Sequence, residues 1–293
     1  MKIGEIFENK KTVFSFEIFP PKTTSSVETI YRTLEELKGL NPDYISVTYG
    51  AGGSITDNKT IELSSLVKNK YGIEAVAHLT CINSSKEDIE YYLNSLKNNN
   101  IENVLALRGD IPADGQMKGE FKYASEIIKN INKYNDFNIA AACYPEGHIE
   151  NKGMLKEIEN MKRKEEAGAA YFISQLFFDN NLYYDFLNKV KAANIKIPIE
   201  AGIMPVTNKK QIERMVSLSG ASLPKKFTKI MDKYEYNPEA LREAGIAYAV
   251  EQIVDLISTG VDGIHLYVMN NSYLAKKISG SIETILATEN KVY

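Results

Sequence analysis

The sequence is poor in the residues that build metal and redox centres. It has two cysteines, Cys81 and Cys143, and neither belongs to a CxxC pair, so no zinc or iron–sulfur site is indicated. Its three histidines, His78, His148 and His265, do not stand at an HxxxH spacing, and a histidine-held metal is not expected. No GxGxxG follows the first strand-like run, which removes the dinucleotide fingerprint of a doubly wound sheet. No apolar run approaches membrane-spanning length. The opening MKIGEIFENKK is charged throughout and has no apolar core, unlike a signal peptide. A net charge of −3 and a pI near 5.8 give no reason to expect nucleic-acid binding. Reduced, strand-lining cysteines fit a cytoplasmic protein.

What is present is an alternation. The 293 residues carry eight short apolar runs: 12–19, 44–50, 74–81, 103–110, 139–145, 171–179, 197–205 and 263–270. Amphipathic segments lie between them. SSVETIYRTLEELKGL has a serine start signal and places Val27, Ile30, Leu34 and Leu37 at helical spacing. KEDIEYYLNSLKNNN reads the same way, as does NPEALREAGIAYAVEQIVDLISTG, with proline near its start and a glycine stop. Eight β-then-α units without a linker predict an α/β fold, a (βα)8 barrel over residues 1–293 as one domain. The stretch SLPKKFTKIMDKYEYNP predicts one extra helix before the eighth strand.

A barrel of this kind places its site at the C-terminal ends of its strands. Polar residues gather there: Glu17, Thr48, Tyr49, His78, Arg108, Gly109, Asp110, Tyr144, His148, Gln175, His265, Tyr267 and Asn270. Glu17 sits inside the apolar run TVFSFEIF. It reads either as an ion-paired structural carboxylate or as an acid whose pKa is raised by its surroundings. His78 and His265 read first as satisfied core histidines, and KRK (162–164) as a solvated helix end. Asp110 after Gly109 reads as a turn or capping residue, or as a second carboxylate beside Arg108. The residues alone thus suggest an enzyme with a partly apolar pocket and room for a phosphorylated cofactor.

Eight segments in order, FSFEIFPPKT, SVTYGAGGS, AHLTC, ALRGD, AACYPEGH, FISQLFFD, AGIMPV and GIHLYVMN, resemble the methylenetetrahydrofolate reductase family. The chain ends after the eighth unit and so looks like the short bacterial form. The resemblance implies a (βα)8 barrel and a non-covalent FAD. It implies hydride transfer from NADH or NADPH to the flavin and then to 5,10-methylenetetrahydrofolate, in ping-pong fashion. Glu17 matches the general acid and Asp110 the carboxylate that binds the pterin and favours its iminium cation. Flavin contacts are implied at Thr48, Tyr49, Ala51, His78, Arg108, Gly109, Asp110, Tyr123, Ala124, Tyr144, His148, Asn160, Arg163 and Lys164. Arg163 and Lys164 are the expected partners of the diphosphate. Folate contacts are implied at Glu17, Thr48, Asp110, Gln175, Gln211 and Met215.

Two positions depart from the family pattern: Asn271 stands where arginine is frequent, and Met215 where Phe or Leu is. The rival readings are another flavin barrel such as a proline dehydrogenase, a pterin-binding methyltransferase barrel without flavin, and a flavin subunit fed by a redox partner protein. A homo-oligomer is expected.

Overall fold

Each of the eight apolar runs contains a strand, and the strands close on themselves in chain order into a parallel barrel. The computed structural model describes residues 1–20, 27–49, 58–111, 117, 119–150 and 153–291. The strands are β1 (Val13–Ile18), β2 (Tyr44–Val47), β3 (Glu74–Thr80), β4 (Asn103–Leu107), β5 (Asn138–Cys143), β6 (Tyr171–Ser174), β7 (Ile199–Ile203) and β8 (Gly263–Tyr267). The helices are α1 (Ile3–Asn9), α2 (Val27–Lys38), α3 (Lys59–Ser65), α4 (Lys86–Asn98), α5 (Ala124–Asn132) and α6 (Met154–Glu166). They continue with α7 (Asn180–Ala192), α8 (Lys209–Ser219), α9 (Lys225–Tyr234), α10 (Pro238–Ser258) and α11 (Ser272–Glu289). Helix α9 is the extra helix expected from SLPKKFTKIMDKYEYNP.

Local chemistry sets the helix ends. Ser85 and Asp88 form a reciprocal box at the start of α4, at 3.1 and 2.9 Å. Asn237 caps α10 by accepting from Ala240 N at 3.1 Å, with Pro238 in the first turn. The serine start signal ahead of α2 lies outside the described residues.

Side chains on a strand alternate between faces. Phe14, Phe16, Ile18, Ile45 and Val47 face outward into the shell between barrel and helices. Residues of the other face fill the barrel in layers. The lowest layer is apolar, with Val13, Tyr44, Val76, Leu105, Ala140, Tyr171 and Ile173 around the buried Ile3 of α1. Helix α1 is thus a plug: Ile3 N and Gly4 N donate to Asn103 Oδ1 and Asn138 Oδ1 at 2.9 and 3.0 Å, and Phe7 packs on Tyr171. The next layer is polar: Ser15, Ser46, His78, Glu200 and His265, all buried. Both cysteines are buried and free, and burial pushes the Cys81 thiol up to about 12.

Candidate functional site

Glu17 stands at the upper end of β1 with its side chain 18% exposed. Its Oε2 lies 3.4 Å from His78 Nε2 and 3.5 Å from both His265 Nε2 and Ser46 Oγ. Sequence neighbours suggested an apolar setting and a raised pKa; the structure corrects this. Phe16 and Ile18 point the other way, and the lumen supplies polar partners. Burial pushes the Glu17 carboxyl up, but the His265 hydrogen bond, the attraction of either imidazole when protonated and the Ser46 hydroxyl together hold it below its ordinary value. His78, buried, is pushed down to about 4 and is neutral near pH 7. Its Nε2 has no hydrogen-bond partner among the described residues. A buried polar nitrogen left open beside a carboxylate suits a ligand that brings a polar atom to it.

A cleft of about 240 Å³ opens over the ends of β4 and β5 and the flank of α6. Arg108, Tyr123, Ala124, Tyr144, His148, Asn160, Arg163 and Lys164 line it, as do Lys156 and Glu157, which sequence reasoning did not single out. Gly109, at φ +90°, turns the chain after β4, a conformation that favours glycine. The Arg108 guanidinium is held by Glu150 through two contacts of 2.6 Å, so its hydrogen-bonded carboxylate is Glu150 rather than Asp110. Asp110 is exposed at the rim. Tyr144 meets His148 edge to face at 4.6 Å. Burial lowers the His148 pKa, and His148 Nδ1 accepts from Glu150 N at 3.2 Å.

The KRK helix end divides in two. Arg163 is exposed and loosely paired with Glu159 at 3.9 Å. Lys164 is buried: its Nζ donates to Ala142 O at 2.7 Å and lies 5.7 Å from the Tyr144 ring centre. Burial lowers its pKa, with Glu157 and Cys143 opposing. Lys164 is therefore a buried support of the cleft floor and departs from the solvated reading, while Arg163 keeps it.

At the end of the neighbouring strand β6, Gln175 is half-buried and its Oε1 accepts from Leu176 N at 2.9 Å. Met215 packs against the buried cluster of Leu176, Phe178 and Ile212, while Gln211 is exposed in the first turn of α8. Thr48 and Tyr49 are half-buried at the end of β2. Ala51, with Gly50, Gly52 and Gly53, lies outside the described residues. Asn271, standing at the arginine position, caps α11 by accepting from Leu274 N at 3.3 Å. Glu200, missed by sequence reasoning, sits in the apolar run IPIEAGIMP, the same signal that drew notice to Glu17.

Among the described residues, no group of three His, Cys, Asp or Glu side chains is placed to hold a metal ion. No helix among them is long and apolar enough to cross a membrane. The cleft fits a flat, anionic cofactor: it combines the rings of Tyr123, Tyr144 and His148 with a basic rim at Arg163 and Lys156.

A family profile described as methylenetetrahydrofolate reductase matches residues 2–283. The chain is similar to methylenetetrahydrofolate reductase (NADH) 1 of Arabidopsis thaliana, 36% identical over 284 residues, which are 92% of this chain and 48% of that one. It is similar to 5,10-methylenetetrahydrofolate reductase of Escherichia coli, 34% identical over 264 residues, covering 90% and 88% of the two chains. The chain thus spans about half the length of the plant relatives it matches and most of the bacterial ones. Among solved structures, an uncharacterized Clostridium thermocellum protein that binds two copies of 5-methyl-5,6,7,8-tetrahydrofolic acid superposes with a TM-score of 0.70 at 17% identity, covering 98% of this chain and all of that one. That likeness shows the barrel fold.

Proposed function

The chain belongs to the methylenetetrahydrofolate reductase family, and from that membership we propose that it reduces 5,10-methylenetetrahydrofolate to 5-methyltetrahydrofolate with FAD as cofactor and NADH or NADPH as donor. The observation that carries the reading is Glu17. It is a lumen-facing carboxyl at the mouth of the barrel, between His78 and His265, at the same end of the strands as the basic-rimmed aromatic cleft.

Tyr123, Ala124, Tyr144, His148, Asn160 and Arg163 would hold the FAD in the cleft, with Lys164 bracing its floor from beneath Tyr144. His78 Nε2, Thr48, Tyr49, Arg108 and Gly109 lie toward the reacting end. Bound FAD would take hydride from the nicotinamide and give it to the one-carbon unit of the folate. Gln175, Gln211 and Met215 form the folate side. Asp110, at the rim, places a negative charge where the opened folate carries a positive one.

Glu17 donates its proton to the folate nitrogen that leaves when the methylene bridge opens. The N–C bond pair goes to that nitrogen, and the carbon left as an iminium accepts the hydride. A ligand covering Glu17 strips its remaining solvent and raises its pKa toward the working range. General acid catalysis of this kind contributes ~10²–10⁴ in rate.

The test is anaerobic stopped flow on the two half-reactions. Glu17→Gln is expected to reduce its flavin with NADH or NADPH within a small factor of the parent rate, and to lose most of its reoxidation by methylenetetrahydrofolate. Asp110→Asn is expected to slow the folate step more than the nicotinamide step. A purified chain that takes up no FAD, or a reduced holoenzyme that methylenetetrahydrofolate does not reoxidise, would end this reading.

A further inference from the structure

The lumen of the barrel holds a carboxyl that the reaction above does not use. Glu200 on β7 is fully buried. Ser15 Oγ of β1 lies 2.9 Å from its Oε1, and the Tyr44 hydroxyl of β2 donates to its Oε2. The space is made for it: a Cβ on Gly263 would stand 2.6 Å from Glu200 Cγ. Among the described residues no lysine or arginine pairs with it. The titratable groups that act on it are His265 from β8, Tyr44 and Asp43 from β2 and its approach, and Tyr171 from β6, with Tyr183 and Tyr267 farther off.

The chain of contacts does not end at Ser15. Ser15 Oγ is 2.6 Å from His265 Nδ1. His265 Nε2 is 3.5 Å from Glu17 Oε2, and Ser46 Oγ lies 3.4 Å from that nitrogen and 3.5 Å from that oxygen. Long contacts of this kind at the last link are usual before substrate closes a site.

We propose that Glu200 is the proton reserve of Glu17, connected to it through Ser15 and His265. The proposal rests on Glu17 acting as the folate acid. Two features fix the direction. Burial pushes the Glu200 carboxyl up to about 7, with His265, Tyr44 and Ser15 pulling back, while Glu17 is held low. In the ligand-free protein the shared proton therefore sits on Glu200.

The transfer balances without any outside reactant. At the start Glu200 donates to Ser15, Ser15 donates to His265 Nδ1, and His265 Nε2–H faces the Glu17 carboxylate. The Glu200 O–H bond breaks as Ser15 takes that proton. Ser15 passes its own proton to Nδ1, and Nε2 passes its proton to Glu17. At the end Ser15 and Tyr44 donate to an ionised Glu200, Nδ1–H donates to Ser15, and Glu17 is an acid. One carboxylate is charged before and after, so the interior gains no net charge. Ser15, His265 and Glu200 are positioning residues; of these four, only Glu17 meets the substrate.

The arrangement has an unusual signature. An ordinary histidine loses a proton as pH rises. Here Nδ1 of His265 takes the proton that Nε2 gives up, a change of tautomer without change of charge, because an ionised Glu200 turns the Ser15 hydroxyl toward itself and Ser46 Oγ stands 3.4 Å from the bared Nε2. The holoenzyme labelled with [15N]histidine gives one set of signals for each of the three histidines. Long-range 1H–15N spectra are expected to show His265 Nδ1 passing from bare to protonated across about pH 6 to 8. Glu200→Gln is expected to abolish that step. A wild-type Nδ1 that stays in one state or loses its proton over this range, or the same inverse step in Glu200→Gln, would overturn the proposal. The wild-type titration decides even where the variant does not fold.

The second arm is the pH profile of folate-driven flavin reoxidation. In the parent it is expected to decline as pH rises through about 7, where Glu200 empties. In Glu200→Gln the declining limb should move to lower pH, and the rate at pH 7 should fall about tenfold, less than the ~10²–10⁴ lost with the acid itself. Unaltered profiles would overturn the reserve. A wild-type enzyme inert to methylenetetrahydrofolate would overturn the proposed function instead, and the histidine titration would still decide whether the proton link exists.

Discussion

Arg163 and Lys164 are adjacent in sequence and opposite in circumstance, so their substitutions should separate binding from stability. Arg163 is a solvated cation on the cleft rim with one weak partner, Glu159 at 3.9 Å. Arg163→Ala should weaken FAD binding by about fivefold, ~1 kcal/mol, with the difference shrinking as salt screens the rim. Its urea midpoint should stay within ~0.5 kcal/mol of the parent. Lys164→Ala instead leaves the Ala142 carbonyl, 2.7 Å from Nζ, without its donor and opens a hole beneath Tyr144. A stability loss of about 2 kcal/mol is expected. Calorimetric titration of the apoprotein with FAD at low and high salt, beside urea unfolding, reads both. Equal effects in the two variants would return KRK to the solvated helix end that its composition suggests.

At the scale of elements, the seam between β8 and β1 depends on Asn270. Its Oδ1 accepts from Phe19 N at 2.9 Å and its Nδ2 donates to Phe19 O at 2.8 Å, while its backbone sits at φ 56°. Alanine there loses two hydrogen bonds and strains a left-handed position, a cost of about 2–3 kcal/mol. Asn271→Ala removes only the α11 cap, about 1 kcal/mol. Chemical unfolding of the two variants checks the order. The elements themselves were largely legible, because each strand is a short apolar run stopped by turn residues. The runs overstated some lengths: β6 ends at Ser174, and Phe177 and Phe178 go on to stack against Tyr183 and Phe227. Helix α1 was not legible, since Ile3, Ile6 and Phe7 stand among charges and its backbone partners are 100 and 134 residues away. The same limit explains Glu17. Its neighbours along the chain are apolar, but a strand sends them to the other face, and the groups that set its pKa arrive from β2, β3 and β8.

At the scale of the whole molecule, Glu200 binds the pH of the solution to the stability of the barrel. Ser15, Tyr44, Glu200 and His265 come from four strands and meet inside it, so an ionised Glu200 burdens the closed barrel and not one element. Its pKa rises from an ordinary 4.5 to about 7 in the fold. The folded chain then holds a proton that the unfolded chain releases, and this contribution is complete below pH 4.5 and lost as pH rises through about 7. Glu17 works the other way: its lowered pKa contributes above the ordinary value and is lost on acidification. Glu200→Gln removes the first contribution while keeping the size of the side chain. The stability of the parent relative to this variant should therefore fall by about 3 kcal/mol between pH 4.5 and pH 8. Urea unfolding of both proteins at intervals across that range measures it. Two curves that stay parallel would mean that Glu200 ionises in the fold as it does in the unfolded chain, and that the interior of the barrel stores no proton.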